Sequence, residues 1–182
     1  MKLNNTKVYI SLGTNLRSFS NNNVKYFLNS VIIRLRLIGL KVNKKSSIWL
    51  SNPIPYNCGP IFFNSVIECT MSYNFKLSAN QLLKKTKHIE KILGKKFKGK
   101  NKQRVIDIDI IDFKGLIKNL NYLKLPHPKS HLRNFVLYPI LEIDPKWSHP
   151  IFKKNAQFLI NKLSQKSRIE ITRLQKNVNI QT

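Results

Sequence analysis

Acidic side chains are scarce in this chain: 8 Asp and Glu stand against 33 Lys and Arg across 182 residues, a formal net charge of +25. So few carboxylates weigh against a metal-dependent nuclease or nucleotidyltransferase, which commonly rings its ions with more acids. Cysteine is scarcer still. Cys58 and Cys69 are the only two, too few for a disulfide framework or a spaced zinc site, and they read as reduced, partly buried thiols. No apolar run approaches the roughly 20 residues that a membrane-spanning helix requires. The opening "MKLNNTK" is polar and lacks the apolar core of a secretion signal. A cytoplasmic protein with no membrane attachment is expected.

What is abundant constrains less. A hydrophobic content of 42% with 10% aromatics argues against general disorder, and the length suits one domain with a sizeable core. The excess of lysine favours a polyanionic partner: nucleic acid, an anionic surface or a small phosphate-rich ligand. The plainer reading is coding bias, with lysines spread over a solvated surface. Charge alone selects no function.

Residues 7–12 alternate as a strand does and stop at Gly13-Thr14-Asn15. Val24, Phe27, Leu28, Val31, Ile32, Leu35 and Ile38 recur at three- and four-residue spacing, an amphipathic helix closed by Gly39. A second strand is predicted over 41–49 and a third over 62–71. Residues 50–60 between them, with three prolines and a glycine, read as a long loop. Ser78 and Gln81 make a capping box for a helix carrying Leu82, Leu83, Thr86, Ile89 and Leu93 on one face and stopping at Gly94. A strand over 104–113 follows, and Lys114-Gly115 could turn a hairpin. Short helices are predicted over 137–143, with Pro139 in the first turn, and over 155–166. The order β-α-β-β-α-β predicts an α+β fold, ferredoxin-like, with helices packed on a mostly antiparallel sheet. Residues 1–166 are expected to form the single domain. Residues 167–182 read as a polar basic tail, either loose or adding a short edge strand at "RIEIT".

The stretch "QRVIDIDIIDF" (103–113) gathers three of the eight acids, Asp107, Asp109 and Asp112, in an apolar run. On a strand, residues i and i+2 leave the same face with Cα atoms about 7 Å apart. Asp107 and Asp109 therefore look one way while Ile106, Ile108 and Ile110 face a core on the other. Two carboxylates so close repel unless cations sit between them. Lysines could serve, which would make this an ordinary wet strand face. Mg²⁺ serves better where carboxylate and phosphate oxygens meet, and two ions roughly 3.5–4 Å apart would clamp a phosphoryl transfer. Asp112 has the opposite parity and is left out of the site.

Several blocks together resemble the 6-hydroxymethyl-7,8-dihydropterin pyrophosphokinase family of folate synthesis. "YISLGTNL" (9–16) is similar to the family's first strand and turn, and "GPIFFNSV" (59–66) to its loop-to-strand block. "LLKKTKHIEKILGK" (82–95) resembles its second helix. "QRVIDIDII" is similar to its Arg-x-x-Asp-x-Asp strand, and "LPHPKSHLRNFVLYPILEIDP" (125–145) to its Pro-His-Pro block. The resemblance implies transfer of the β,γ-pyrophosphoryl group of ATP to the pterin hydroxymethyl oxygen, with release of AMP. It assigns two Mg²⁺ ions to Asp107 and Asp109 and makes those aspartates, with Arg104, the catalytic set.

Carried over residue by residue, Arg104, His127 and Arg133 would contact the ATP phosphates, a role that suits a planar guanidinium. Phe62 and Phe135 would stack on the pterin. Asn64 would read the pterin edge with its paired donor and acceptor, helped by backbone groups around Ser51 and Ile54. Lys87 and Glu90 would lie near the adenosine, although at i and i+3 they could instead pair with each other. Lys95 and Lys96 stand where the family has an arginine after the helix-ending glycine, and they join the ATP set. The chain departs from the family in having no tryptophan in that loop, Gln103 before Arg104, Ser51-Asn52-Pro53 in the pterin loop, and Gly59. ATP and the pterin are the expected partners of a monomer that binds no specific nucleic acid. The rival from another class is a basic nucleic-acid-binding module, with lysines on phosphates and aromatic rings on bases.

Overall fold

The computed structural model describes residues 6–15, 21–53, 59–73, 75–94 and 105–174. Strands β1 (Val8–Thr14), β2 (Leu40–Lys45), β3 (Trp49–Ser51), β4 (Phe62–Met71), β5 (Asp107–Phe113) and β8 (Ile171–Arg173) build one antiparallel sheet. A separate ladder joins β6 (Lys118–Asn119) to β7 (Lys124–Leu125). The main sheet runs β5-β1-β4-β3-β8, with β2 beside β3 on the same edge of β4. Helices α1 (Asn21–Leu37) and α2 (Ala79–Ile92) supply the two crossovers, followed by α3 (Asn134–Ile143), α4 (Ala156–Lys162) and α5 (Gln165–Ile169). This is the expected ferredoxin-like α+β arrangement.

Alternation along β1 decides how the sheet is covered. Val8, Ile10 and Leu12 enter one core with Val24, Leu28, Val31 and Leu35 of α1 and Leu82 and Ile89 of α2. Tyr9 enters the other core, with Val136, Leu137 and Ile140 of α3 and Leu159 and Ile160 of α4. β1 is thus buried on both faces. The capping box forms as expected: Ser78 Oγ accepts from Gln81 N and Gln81 Oε1 accepts from Ser78 N. Gly39 closes α1 at φ +101°, and a Cβ there would lie 2.4 Å from the Phe75 ring.

Several expectations need correction. The strand predicted over 41–49 is two strands. Ser46 gives its N–H to the Val66 carbonyl, but its hydroxyl, not its carbonyl, accepts the Val66 N–H. The ladder breaks there, just after a register shift between Val42 and Lys44. Lys114-Gly115 does turn, both residues having positive φ, with Leu116 N bonded to Phe113 O. The chain beyond pairs β6 with β7 instead of folding back on β5. Helix α3 begins at Asn134, so Pro139 is its sixth residue and not in its first turn. Val136 and Leu137, which are buried against the sheet, draw the earlier residues into the helix.

The helix predicted over 155–166 is also two. Asn155 caps α4 and Ser164 caps α5, with Leu163 extended between them. Of the two fates open to "RIEIT", the edge strand forms, as β8 pairs with β3. No helix among the described residues is long and apolar enough to cross a membrane.

Candidate active site

Ile106, Ile108 and Ile110 are buried in the α1/α2 core, which turns Asp107 and Asp109 to the opposite face, as their parity requires. The register then changes. Tyr9 pairs with Asp112 but Ile10 with Ile110, so Ile111 is an extra residue, a β-bulge. The bulge undoes the simple parity of Asp112. Its carboxylate lies under the α3/α4 side, accepting from Trp147 Nε1 at 3.1 Å and from Gly115 N at 2.8 Å. Burial raises its pKa, against these donors. Asp112 is thus engaged by the fold itself, and parity is not what sets it apart from Asp107 and Asp109.

The other acids are engaged in the same way. Asp144 and Glu68 share Lys7, Glu142 holds Ser47, Trp49 and Arg173, and Glu170 meets Lys166. Glu90 is fully buried and accepts from Ile108 N at 2.7 Å and Lys87 Nζ at 3.0 Å. Of the two readings open for Glu90 and Lys87, the structure displays the mutual pair, and it adds a backbone contact that ties α2 to the edge strand.

Asp109 is only partly covered. Its Oδ2 lies 3.5 Å from Arg133 Nη1 and 3.8 Å from His127 Nε2. Arg133 precedes α3, with its guanidinium 5.4 Å above the Phe135 ring. The Lys129 N–H donates to His127 Nδ1 at 3.2 Å, and Nε2 lies 3.4 Å from Arg133 Nη1 and 3.8 Å from Asp109 Oδ2. Burial, then Arg133, depress the His127 pKa, and Asp109 opposes them. Burial in the site thus disfavours the charged imidazolium.

On the same face, β1 runs between the aspartates and Asn64. Gly13 pairs with Asp107 on one side and Asn64 on the other. The Asn64 amide is buried and donates to Ser51 Oγ at 3.0 Å and Trp49 O at 3.3 Å. Phe62, two residues earlier on β4, shares its face, and Phe135 packs beside the α3 core. The structure therefore brings together Asp107, Asp109, His127 and Arg133, and beside them Ser51, Asn64, Phe62 and Phe135. Ile54, Lys95, Lys96 and Arg104 lie outside the described residues.

Beyond the open edge of β5 is a cleft of about 190 Å³. It is lined by Leu83 and Lys87 of α2, Ile108, Asp109 and Ile110 of β5, and Asn121, Tyr122, Leu123, Lys124, His127 and Pro128. Sequence reasoning named Lys87, Asp109 and His127 but missed 121–124. The signal there was an aromatic and a lysine between leucines, but two-residue strands carry no readable period.

Among the described residues no group of three or more His, Cys, Asp and Glu converges on a point, so there is no all-protein cage. Two carboxylates on one face still fit Mg²⁺, which keeps waters and shares its remaining positions with phosphate oxygens.

The match that decides the family spans residues 9–145, to 7,8-dihydro-6-hydroxymethylpterin-pyrophosphokinase. The chain belongs to this family. Among similar pyrophosphokinases, the 2-amino-4-hydroxy-6-hydroxymethyldihydropteridine pyrophosphokinase of Aquifex aeolicus is 35% identical over 147 residues, 81% of this chain and 86% of its own. The folic acid synthesis protein fol1 of Pneumocystis carinii is 36% identical over 149 residues, 82% of this chain but only 19% of its own length. A crystal structure of a Plasmodium falciparum HPPK-DHPS variant with pterin and p-hydroxybenzoate superposes with a TM-score of 0.69 at 15% identity, over 92% of this chain and 47% of that one. The chain thus spans about a fifth of fol1 and about half of the Plasmodium chain. These matches give the rival nucleic-acid-binding reading no support.

Proposed function

We propose that this pyrophosphokinase-family chain transfers the pyrophosphoryl group of ATP to the hydroxymethyl oxygen of 6-hydroxymethyl-7,8-dihydropterin, releasing AMP, in folate synthesis. The observation that carries this is the placing of Asp107 and Asp109 on one sheet face, between Asn64 on one side and the His127-lined cleft on the other. Each substrate then has its own flank, and the reacting atoms meet over the carboxylates.

In this reading the pterin oxygen forms a bond to the β-phosphorus, and the bond from that phosphorus to the oxygen bridging to the α-phosphorus breaks. The bridging oxygen leaves on AMP, and the hydroxyl proton is released. Asp107 and Asp109 would hold two Mg²⁺ ions, which supply charge neutralisation to the triphosphate and lower the pKa of the attacking hydroxyl. Arg133 and His127 contribute donors to the phosphates from within a half-buried site, where such bonds are strong. By the family resemblance Arg104, Lys95 and Lys96 would join them on the phosphates. Asn64, with Ser51 and the backbone near Ile54, orients the pterin between Phe62 and Phe135. Catalysis of this kind is mostly alignment and neutralisation. The nucleoside lies in the cleft, against Lys87 and the Glu90-braced edge of β5. The working unit is a cytoplasmic monomer with one domain, residues 1–166, to which 171–173 of the basic segment 167–182 add an edge strand.

The test is AMP formation from ATP by purified protein with Mg²⁺, with and without the reduced hydroxymethyl pterin. AMP that appears only with pterin supports the reading. Folded protein that makes no pterin-dependent AMP would overturn it.

A further inference from the structure

Tyr122 combines two properties that seldom occur together. Its side chain is 64% exposed, yet its hydroxyl is tied to Asn80 Nδ2 at 3.3 Å, across 42 residues, in the first turn of α2. Asn80 Oδ1 is itself buried without a hydrogen-bond partner. Turned over, the same amide would accept from the tyrosine O–H, so the pairing holds in both orientations. An exposed aromatic ring held by its tip has given up freedom without gaining burial, which fits a surface prepared for something else to cover it.

The cleft says what that is. Tyr122 lines it with the aliphatic Leu83, Ile110 and Leu123, and Asp109, His127, Lys87, Lys124 and Asn121 line it too. An aromatic and aliphatic surface suits a planar ring, and the lysines and His127 suit the phosphates attached to it. The pterin-facing amide of Asn64 lies on the far side of β1 from this slot, so the planar ring here belongs to the nucleotide.

We propose that the Tyr122 ring is the stacking surface for the nucleotide's base, and that Asn80 is the positioning residue that holds it there. This rests on the reading of the cleft as the nucleotide site.

Tyr122→Ala, Tyr122→Phe and Asn80→Leu are compared with the unaltered protein. The probes are α,β-methylene-ATP, inert because the bond that breaks is replaced, and inorganic tripolyphosphate, which has no base, each with Mg²⁺. Tyr122→Ala should weaken the ATP analogue about tenfold or more and change tripolyphosphate by less than about twofold. In turnover it should raise KM for ATP by a like factor, leaving kcat and KM for the pterin within about twofold. Tyr122→Phe and Asn80→Leu should each weaken the analogue by about two- to fourfold, with no further loss in the double variant. An analogue affinity within twofold in Tyr122→Ala, or an equal loss of tripolyphosphate, would overturn the proposal. Pterin-dependent AMP formation by the unaltered protein reports on the proposed function separately, so the two can fail independently.

Discussion

Asp109 and Arg133 meet at 3.5 Å, carboxylate oxygen to guanidinium nitrogen, with His127 Nε2 3.8 Å from the same oxygen. In the proposed mechanism the groups suited to the phosphates sit against Asp109 before any nucleotide arrives, and binding would be an exchange of partners, with Asp109 passing to the metal and Arg133 and His127 to the triphosphate. Arg133→Ala is expected to raise KM for ATP about 10- to 100-fold, since a charge-assisted pair of donors is lost. The pterin KM should move far less, which initial-rate measurements with each substrate varied would show.

In the proposed function Gly13 serves the ligand more than the backbone. A Cβ there would stand 3.3 Å from Asn64 Oδ1, over the bare stretch of strand between Asn64 and Asp107, whose Cα atoms are roughly 10 Å apart at two strand spacings. Gly13→Ala should raise the pterin KM about tenfold or more, leave ATP binding within about twofold, and shift Tm by only a few degrees. Calorimetric titration with each ligand and a thermal melt would check it.

Glu90 is expected to act on stability. It is fully buried and serves as acceptor for the Ile108 N–H and partner for Lys87. Glu90→Ala strands a buried donor and should cost about 2–4 kcal/mol. Glu90→Gln keeps an acceptor and should recover much of that, and Lys87→Ala should cost about 1 kcal/mol or less. Urea unfolding of the three variants gives the order.

His149 should make stability depend on pH. It is buried and held neutral, with its pKa pushed down to about 4 by burial, then by His131 and Lys153. Its Nδ1 accepts from Ile151 N and Phe152 N, which directs its Nε2 proton to Ser130 Oγ, and that hydroxyl donates to the His127 carbonyl. A group with a depressed folded pKa contributes fully above its unfolded value of 6.5 and loses that contribution as pH falls toward 4. Unfolding free energy should therefore drop by about 2–3 kcal/mol between pH 7 and pH 4.5 on account of this group. His149→Phe should flatten the profile by that amount, as denaturant unfolding at the two pH values would show.

What the sequence made legible followed short-range rules. The parity of Asp107 and Asp109, the Ser78–Gln81 box and the Gly39 stop each depend on a few neighbouring residues, and each appears as expected. What stayed hidden depends on partners far along the chain. The bulge at Ile111 is set by pairing with Tyr9, about a hundred residues away in sequence. The break at Ser46 depends on a hydroxyl reaching Val66. The cleft at Tyr122 exists because α2, β5 and 121–128 converge, which no local pattern in 121–124 announces. Asp112 shows the limit, since the parity used to set it apart from Asp107 and Asp109 was undone by the bulge.

The central claim is that Asp107 and Asp109 form a cation site completed by the nucleotide's phosphates. The most direct measurement is electron paramagnetic resonance of Mn²⁺, in place of Mg²⁺, titrated into the protein with and without α,β-methylene-ATP, and into Asp107→Ala and Asp109→Ala. The account expects weak binding without nucleotide and two tightly held ions per chain with it. It also expects loss of this tight binding in either variant, while each variant stays folded within about 1 kcal/mol. Tight Mn²⁺ binding that persists in both variants, or that ignores the nucleotide, would contradict it.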